Sequence, residues 1–266
     1  MGLSILTRVG YGMIRAERIE KIKSLAKGQE IVTWEELQRC LNGSKATVQR
    51  DAAILSNASV LRKTRGGVIF IQEPDANELS NAAREVTNKE AKQRIAAAAL
   101  QFVQKDSFAM MDSGSTVLEL VRQIPPETSL TAITYSLSTA IALDSKPHID
   151  VYFTGGKLRK QFMACHGFFS ENMLSQFHAG VCFLGADALS VETGISEHNM
   201  YDVRLKQIMM ENSAKVILLA DHSKFTNNAY IHVAPLDQVD ILITDAQLDA
   251  ATLQEFQKHK VDVIQA

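Results

Sequence analysis

The sequence predicts an α/β chain in which a small helical segment with a β-hairpin comes first and a larger, doubly wound, mostly parallel α/β domain follows. Two observations carry this prediction. Apolar residues recur at helical spacing up to position 55, and beyond about position 89 short apolar strands alternate with amphipathic helices. With 266 residues, the chain is long enough for one or two domains with a substantial core.

Charge is distributed unevenly along the chain. Between Met13 and Phe70 there are 11 Lys or Arg residues against 6 Asp or Glu residues, whereas from Ile71 to the end there are 16 against 24. A basic N-terminal part attached to an acidic body indicates that only the first part contacts a polyanion.

The composition also indicates where the protein is located and which kinds of site it lacks. The three cysteines are too few and too far apart for a disulfide framework or a zinc site, and the histidines lack metal-ligand spacing, so neither a metal nor a cofactor is predicted. No apolar run reaches the roughly 18 residues that a membrane span needs. The first residues do not resemble a signal peptide, and Met13 is a second possible start. We therefore expect a cytoplasmic protein without a membrane partner.

The first two helices are predicted from apolar spacing and from capping signals. Ile19 and Ile22 lie at helical spacing in a segment that ends at Gly28. The second helix starts at Thr33, which forms the pattern of a capping box with Glu36. The residues predicted to be buried on the second helix are Trp34, Leu37 and Leu41.

The third helix follows after Asn42-Gly43 and has Ser44 in the N-cap position. Its predicted buried stripe consists of Val48, Ala52 and Leu55. Long basic or amide side chains are left exposed in the first two turns, and this is the set of side chains that contacts base edges and phosphates. A solvated helix start is the alternative interpretation of the same residues.

A basic hairpin completes the segment. Two short apolar strands flank a turn that ends in Gly66-Gly67. A helix pair whose second helix has an exposed polar start, followed by a basic hairpin, is the plan of a winged helix-turn-helix, so we predict DNA binding rather than a charged helical subdomain. The residues predicted to contact DNA are Thr33, Ser44, Lys45, Thr47, Gln49, Arg50, Arg62, Lys63 and Arg65.

The body of the chain begins after a polar stretch that Pro74 interrupts. From "SFAMMD" to the C-terminal "VDVIQA", apolar strands alternate with amphipathic helices, which predicts a largely parallel sheet with helices on both faces. The predicted domains are an N-terminal extension at 1–14, a winged helix-turn-helix at 15–71 with the helix-turn-helix itself at about 33–52, a linker at 72–88, and an α/β domain at 89–266.

Polar residues follow several of these strands, and ligands of such sheets bind beyond the carboxyl ends of the strands. "DSGST" before a helix supplies hydroxyls, a glycine and backbone N–H groups, which suit an anion, although it matches neither the P-loop nor the G-x-G-x-x-G pattern. Lysines add positive charge, and aspartates can accept hydrogen bonds from sugar hydroxyls. The predicted site for a phosphorylated polyol comprises Asp112, Ser113, Gly114, Ser115, Thr116, Thr134, Tyr135, Ser136, Gly155, Gly156, Lys157, Gly185, Asp187, Asp221 and Lys224.

Other residues receive ordinary structural interpretations. The phenylalanines and the paired methionines at 110–111 and 209–210 are predicted to pack in the core. Lys89, Lys92 and Arg94 precede an apolar helix and are predicted to form its solvated first turn.

The N-terminal segment resembles the DeoR family of bacterial transcriptional regulators, whose recognition helix has a pattern like S-x-x-T-[IV]-R-R-D, followed by L-x-R-x-H-G-G-A. Gln49 stands where that family usually has Arg, Arg65 where it has His, and Val68 where Ala is common. The positions that match the two patterns are Ser44, Thr47, Val48, Arg50, Asp51, Leu61, Gly66 and Gly67.

The resemblance continues in the body, where "DSGST", "ITYS", "TGG", "LGAD" and "ADHSKF" are similar to blocks of the family's C-terminal domain. That domain is similar in fold to ribose-5-phosphate isomerase. Tyr135 replaces a usual Asn, and Asp202 with Lys206 represents an acidic-to-Lys helix. The resemblance implies a transcriptional regulator, in the first place a repressor of a carbohydrate-catabolism operon, that binds operator DNA and responds to a phosphorylated sugar.

A sugar-phosphate isomerase fused to a nucleic-acid-binding module is the alternative. Its general base and electrophile would come from Asp112, Asp187 or Asp221 together with Lys224. A winged helix has no part in such a reaction, so no enzymatic activity is expected. Helix-turn-helix proteins usually bind paired half-sites, which predicts a homo-oligomer, a dimer or a tetramer.

Overall fold

The computed structural model of the protein describes residues 13, 15, 18–19, 21–22, 31–57, 61–70 and 79–266. The described residues up to 70 form one compact unit, and those from 79 onward form a second. The predicted extension at 1–14, apart from Met13, and most of the first predicted helix lie outside the described residues, as does Pro74. The predicted domain limits therefore stay predictions.

The first unit has the winged helix-turn-helix plan. Its helices are α1 (Trp34–Leu41) and α2 (Lys45–Asn57), and its strands are β1 (Ile31–Thr33), β2 (Leu61–Lys63) and β3 (Gly67–Phe70). The strands form one antiparallel sheet in the order β1-β3-β2. The sequence predicted the hairpin of β2 and β3, whereas β1 was not predicted.

The predicted caps of α1 and α2 are confirmed, whereas Gly28, the predicted end of the first helix, lies outside the described residues. The Thr33 hydroxyl accepts a hydrogen bond from the Glu36 amide at 3.2 Å, and the Glu36 carboxylate accepts one from the Thr33 amide at 2.9 Å. Asn42 ends α1 in the left-handed conformation, with φ 47°. The Ser44 hydroxyl then accepts from the Thr47 amide at 3.3 Å at the start of α2.

The predicted core of this unit is also confirmed, because the apolar residues assigned to α1 and α2 are all buried. Asp51 lies on the same side of α2 and is 1% exposed. Its carboxylate accepts a hydrogen bond from the Arg18 guanidinium at 2.7 Å. The ion pair fastens the N-terminal helical residues onto α2.

Gly67 lies where β3 passes closest to β1. A Cβ atom at this position would lie 2.1 Å from the Val32 carbonyl oxygen and 2.8 Å from Thr33 Cα. At the neighbouring Gly66, by contrast, an added Cβ would meet no described atom within 4 Å. The β1–β3 pairing therefore requires glycine at 67 but not at 66.

The second unit is a doubly wound α/β structure, as predicted. Its helices are α3 (Asn81–Val86), α4 (Lys89–Ala99), α5 (Ser115–Gln123), α6 (Leu137–Asp144), α7 (Phe168–Leu174), α8 (Met200–Glu211) and α9 (Ala250–Lys258). The strands of its main sheet are β4 (Ser107–Met111), β5 (Leu130–Thr134), β6 (Ile149–Phe153), β9 (Val181–Leu184), β12 (Val216–Leu219), β14 (Ile241–Thr244) and β15 (Asp262–Gln265). All neighbours in this seven-stranded sheet are parallel, in the order β15-β14-β12-β9-β4-β5-β6.

Two small antiparallel sheets were not predicted. One is a ribbon of two strands, β7 (Lys157–Arg159) and β8 (Ala164–His166). The other contains three strands, β10 (Ala188–Ser190), β11 (Gly194–Glu197) and β13 (Ile231–Ala234).

Hydrophobic clusters lie on both faces of the main sheet. Helices α4 and α5 pack on one face, and α8 and α9 pack on the other. The four paired methionines are buried in these clusters, as predicted. The prediction is wrong for Phe168 and Phe169, which are 73% and 71% exposed because they begin α7 on its solvent side.

The order of the sheet changes direction next to β4. The chain runs outward from β4 through β5 to β6, and then returns to β9 on the other side of β4 before it continues to β12. Such a reversal leaves a crevice at the carboxyl ends of the two adjacent strands. Among the described residues, no helix is long and apolar enough to cross a membrane.

Candidate ligand cavity and DNA interface

A cavity of about 370 Å³ lies at the carboxyl ends of β4 and β9, at this reversal of strand order. A cavity of this volume suits a small metabolite. Its wall is formed by Leu79, Arg84, Thr87, Asn88, Lys92, Asp112, Ser113, Gly114, Ser115, Thr116, Gly185, Ala186, Asp187, Glu197, Asp202, Lys206, Leu219, Asp221, His222, Ser223, Lys224 and Asn227.

The N-terminus of α5 faces this cavity. Gly114 is its N-cap residue, and it has no side chain with which to accept the first amide hydrogen bonds. Ser115 and Thr116 follow in the first turn, and both are buried in the cavity wall. Unpaired N–H groups and the positive end of the helix dipole make this turn suitable for an anion.

Asp112 belongs to the cavity wall, and its side chain is fully buried. Its carboxylate accepts hydrogen bonds from the Tyr135 hydroxyl and from the Gly185 amide at 2.8 Å, and the Lys206 ammonium lies 3.2 Å away. The same ammonium donates to the Gly185 carbonyl at 2.6 Å and to Glu197 Oε1 at 2.5 Å. These contacts tie the end of β4 to the end of β9 and to α8.

Electrostatics keep Lys206 charged in this interior. Burial alone would lower the pKa of Lys206, but acidic neighbours, of which the carboxylate of Asp112 has the largest effect, raise it above its usual value. Burial and the carboxylate of Asp112 raise the pKa of Tyr135 as well, so the phenol keeps its proton and acts as a donor.

A second ion pair lines the cavity between α3 and the end of β9. Arg84 Nη2 lies 3.1 Å from Asp187 Oδ1 and 3.4 Å from Oδ2. Burial would raise the pKa of Asp187, but the Arg84 guanidinium and a hydrogen bond from Glu197 hold it well below its usual value. Burial and the charge of Asp187 raise the pKa of Glu197. Glu197 is therefore the proton donor of this carboxyl pair.

Lys92 is placed differently from the prediction, which assigned it to a solvated first turn. Its side chain is 3% exposed, and its ammonium donates to the carbonyls of Arg84 at 2.5 Å and of Thr87 at 2.6 Å. Burial is the main cause that lowers the pKa of Lys92, to about 8. The prediction was wrong because α3 folds over the start of α4 and covers this residue.

Asp221 and Lys224 form the wall at the end of β12. The Asp221 carboxylate accepts hydrogen bonds from the Asn88 amide group at 2.9 Å and from the Ser223 hydroxyl at 2.6 Å. Burial raises the pKa of Asp221, but the Ser223 bond and the charge of Lys224 lower it overall. Lys224 is half-buried and contributes positive charge to the cavity.

Nine of the fifteen predicted ligand-site residues lie in this wall: Asp112, Ser113, Gly114, Ser115, Thr116, Gly185, Asp187, Asp221 and Lys224. Of the other six, Tyr135 does not line the cavity, but its hydroxyl donates a hydrogen bond to the Asp112 carboxylate. Thr134 and Ser136 accept backbone amide hydrogen bonds at the start of α6. Gly155 and Gly156 have φ of 64° and 111°, and this turn leads the chain away into the β7–β8 ribbon, which begins at the exposed Lys157.

Sequence reasoning missed a group of wall residues that come from helices and not from strand ends. Arg84, Asn88 and Lys92 belong to this group. They were missed because the prediction considered only residues that follow the carboxyl ends of strands. Asp202 and Lys206 were connected with the family resemblance but were not assigned to the site. Among the described residues, no group of His, Cys, Asp or Glu side chains is arranged to hold a metal ion.

On the first unit, Lys45, Gln49 and Arg50 are exposed at the start of α2. Gln49 shares a shallow depression with Lys63 and Arg65 of the hairpin, which we call the wing. The depression also includes Trp34, whose indole N–H donates to the Thr64 carbonyl at 3.3 Å. The start of α2 and the wing thus form one basic surface.

The remaining predicted DNA contacts are on the same unit. The Thr33 hydroxyl is engaged in the capping box, and the hydroxyls of Ser44 and Thr47 lie 2.9 Å apart. Arg62 lies on β2, and its side chain is outside the described part of the chain.

A winged helix-turn-helix unit and a unit with a polar metabolite cavity together define a DNA-binding transcriptional regulator with a sensor domain. The model of the DeoR-like helix-turn-helix domain matches residues 18–74, and that of the DeoR C-terminal sensor domain matches residues 87–246. The chain belongs to the DeoR family of transcriptional regulators.

Known proteins resemble the chain over most of its length. The HTH-type transcriptional regulator GlpR of Haloferax volcanii is 32% identical over 252 residues, which cover 95% of this chain and 98% of that protein. The glycerol-3-phosphate regulon repressor of Escherichia coli K12 is 27% identical over 251 residues, 94% of this chain and 99% of that protein. Ribose 5-phosphate isomerase A of Methanocaldococcus jannaschii superimposes with a TM-score of 0.40 at 17% identity, over 52% of this chain and 55% of that chain.

Proposed function

We propose that this regulator represses an operon for carbohydrate catabolism and that a phosphorylated sugar, bound in the cavity of the α/β unit, controls its contact with operator DNA. The observation that carries the proposal is the uncapped N-terminus of α5 in the wall of a polar cavity, together with Lys224. Backbone N–H groups at a helix N-terminus combined with a lysine suit a phosphate group.

The rest of the cavity supports a polyol as the body of the ligand. Carboxylates of Asp187 and Asp221 line the wall, and they are hydrogen-bond acceptors that suit sugar hydroxyls. The Escherichia coli relative is named for the glycerol-3-phosphate regulon, which agrees with a phosphorylated polyol as the class of effector.

For the DNA side, we propose that the start of α2 enters the major groove and that the wing contacts the backbone. The exposed side chains of Lys45, Gln49 and Arg50, beside Lys63 and Arg65, support this arrangement. We also propose a homo-oligomer, a dimer or a tetramer, because helix-turn-helix units usually read paired half-sites. Catalytic turnover of the effector forms no part of the proposal.

The direct test is a titration of the protein with DNA that it has selected from random sequence. Fluorescence anisotropy would be measured with glycerol 3-phosphate, fructose 6-phosphate, glucosamine 6-phosphate, inorganic phosphate and unphosphorylated glucose. We expect at least one phosphorylated polyol to weaken DNA binding by about 5–150-fold, the usual range of coupling between two sites. A response to glucose with none to the phosphorylated compounds would contradict the proposal.

Gln49 allows a test of whether α2 recognises the base sequence of the operator. Glutamine suits bidentate contact with adenine, whereas arginine suits guanine O6 and N7. We expect Gln49→Arg to shift the preference at one operator position from A·T toward G·C, by about 1–3 kcal/mol, and to leave the other positions unchanged. Selection of binding sites from random DNA with both proteins measures the shift. The same preferences in both selections would mean that Gln49 contacts only the backbone.

A further inference from the structure

Helix α3 lines one side of the cavity, and its described polar contacts include bonds to α5, to α6 and to the end of β9. With six residues, from Asn81 to Val86, it is too short to be stable on its own. The Asn81 amide group donates to the Ser138 hydroxyl at 3.0 Å, and Glu85 pairs with the Arg122 guanidinium at 2.7 Å. Within the cavity, Arg84 pairs with Asp187. The position of α3 therefore depends on its partners.

The Arg84–Asp187 pair is not in the strongest geometry that arginine can form. Both carboxylate oxygens of Asp187 are approached by the same nitrogen, Nη2, at 3.1 and 3.4 Å. The strongest arginine pairs are forks in which two nitrogens each donate to one oxygen. A phosphate group in the cavity carries more negative charge than a carboxylate and can accept such a fork, so it competes well for this guanidinium.

Asp187 can lose Arg84 without becoming a buried charge that has no partner. Its Oδ2 accepts a hydrogen bond from the His198 amide at 3.1 Å, and Glu197 donates a second bond to the same carboxylate. Breaking a buried ion pair is costly mainly when one charge is left uncompensated. These two donors reduce that cost and favour an exchange of partners.

We propose that Arg84 is the residue that senses the bound phosphate, by exchanging Asp187 for the phosphate oxygens and so shifting α3. The inference rests on the proposed phosphate site at α5 and Lys224. Asn81 follows Phe70, the last described residue of the DNA-binding unit, by only eleven positions. We expect a shift of α3 to alter DNA binding, because α3 is the first helix after that unit among the described residues.

Hydrogen–deuterium exchange of the full-length protein tests the proposal, with inorganic phosphate and glycerol 3-phosphate as probes. In the wild type, either probe should change the exchange rates of the amides at 81–88. Arg84→Gln should bind the probes at least about tenfold more weakly, since it loses charged hydrogen bonds, and α3 should no longer respond. Asp187→Asn without a probe should show the exchange rates of the phosphate-bound wild type.

Arg122→Gln is the matched control, because it removes a different ionic contact of α3, with Glu85, and Arg122 does not line the cavity. It should keep both the affinity and the response. Arg84→Lys, which retains the charge without the fork, covers the case in which Arg84→Gln does not fold, and it should respond weakly. An Arg84 variant that binds and responds like the wild type would overturn this inference alone. A wild type that binds neither probe would overturn the proposed function as well.

Discussion

Replacing Ser115 with Asp is expected to abolish the response to a phosphorylated sugar while DNA binding is retained. Ser115 is the first residue of α5 and is 7% exposed in the cavity wall. A carboxylate there would occupy the region proposed for the phosphate. Two like charges about 4 Å apart near a protein surface repel by about 4 kcal/mol, which weakens binding by about a thousandfold.

The variant is informative because it should not unfold the protein. Aspartate is favourable in the first turn of a helix, where it interacts with the helix dipole. Ser115→Asn is the matched control, since it has nearly the same shape without the charge and should retain most of the affinity. Calorimetry with the most effective sugar phosphate, combined with anisotropy on DNA, measures both functions. A loss of DNA binding with a retained effector response would refute the assignment of the phosphate site.

The second large effect is expected for Gly67→Ala in the wing. The new methyl group would lie 2.1 Å from the Val32 carbonyl oxygen, which belongs to the backbone of β1 and cannot rotate away. The β1–β3 pairing would have to open, at a cost of about 1–3 kcal/mol or more, as for other overpacked sites. Lys63 and Arg65 would then be displaced from the start of α2, and we expect DNA affinity to fall at least about tenfold.

Gly66→Ala is the matched control for this change. An added methyl group at 66 meets no described atom within 4 Å, so thermal unfolding and DNA affinity should both stay near the values of the wild type. Circular dichroism melting curves and anisotropy with one DNA duplex are sufficient for the comparison. Equal behaviour of the two alanine variants would contradict the close approach of β3 to β1.

The parts of the fold that could be predicted are those with a local physical signature. The Thr33–Glu36 capping box and the apolar stripes of α1 and α2 need only neighbouring residues, and the structure contains them. The strands of the main sheet are apolar runs that end in polar turns. By contrast, β7 and β10 have only three residues each, which is too short for alternation to be visible.

The cavity could be predicted only where its residues follow strands. Asp112 and Gly185 come directly after β4 and β9, so the parallel sheet brings them together. Arg84 and Lys92 line the cavity because the short helix α3 packs across the end of the sheet. The spacing of apolar residues in the sequence does not show where such a short helix packs. The predicted extension of the site to Lys157 assumed that the chain stays at the sheet edge after β6. The glycine turn at 155–156 directs it away instead.

The buried side chain of Lys92 should make the binding of the proposed effector depend on pH. Burial is the main cause that lowers the pKa of Lys92, to about 8. The charges of Lys224 and Arg84 lower it further, whereas those of Asp221 and Glu119 raise it. The side chain is therefore only partly protonated in mildly alkaline solution. A neutral amine still has two N–H groups, which is enough for the two carbonyls that Lys92 contacts.

A phosphate in the cavity would raise this pKa and draw in the third proton. Effector binding near pH 8 should then take up a fraction of a proton from the solvent, and the affinity should fall as the pH rises through that range, since the ammonium is lost. The response to a fixed concentration of sugar phosphate should therefore become weaker as the pH rises through about 8, and it should change little at pH values well below that range.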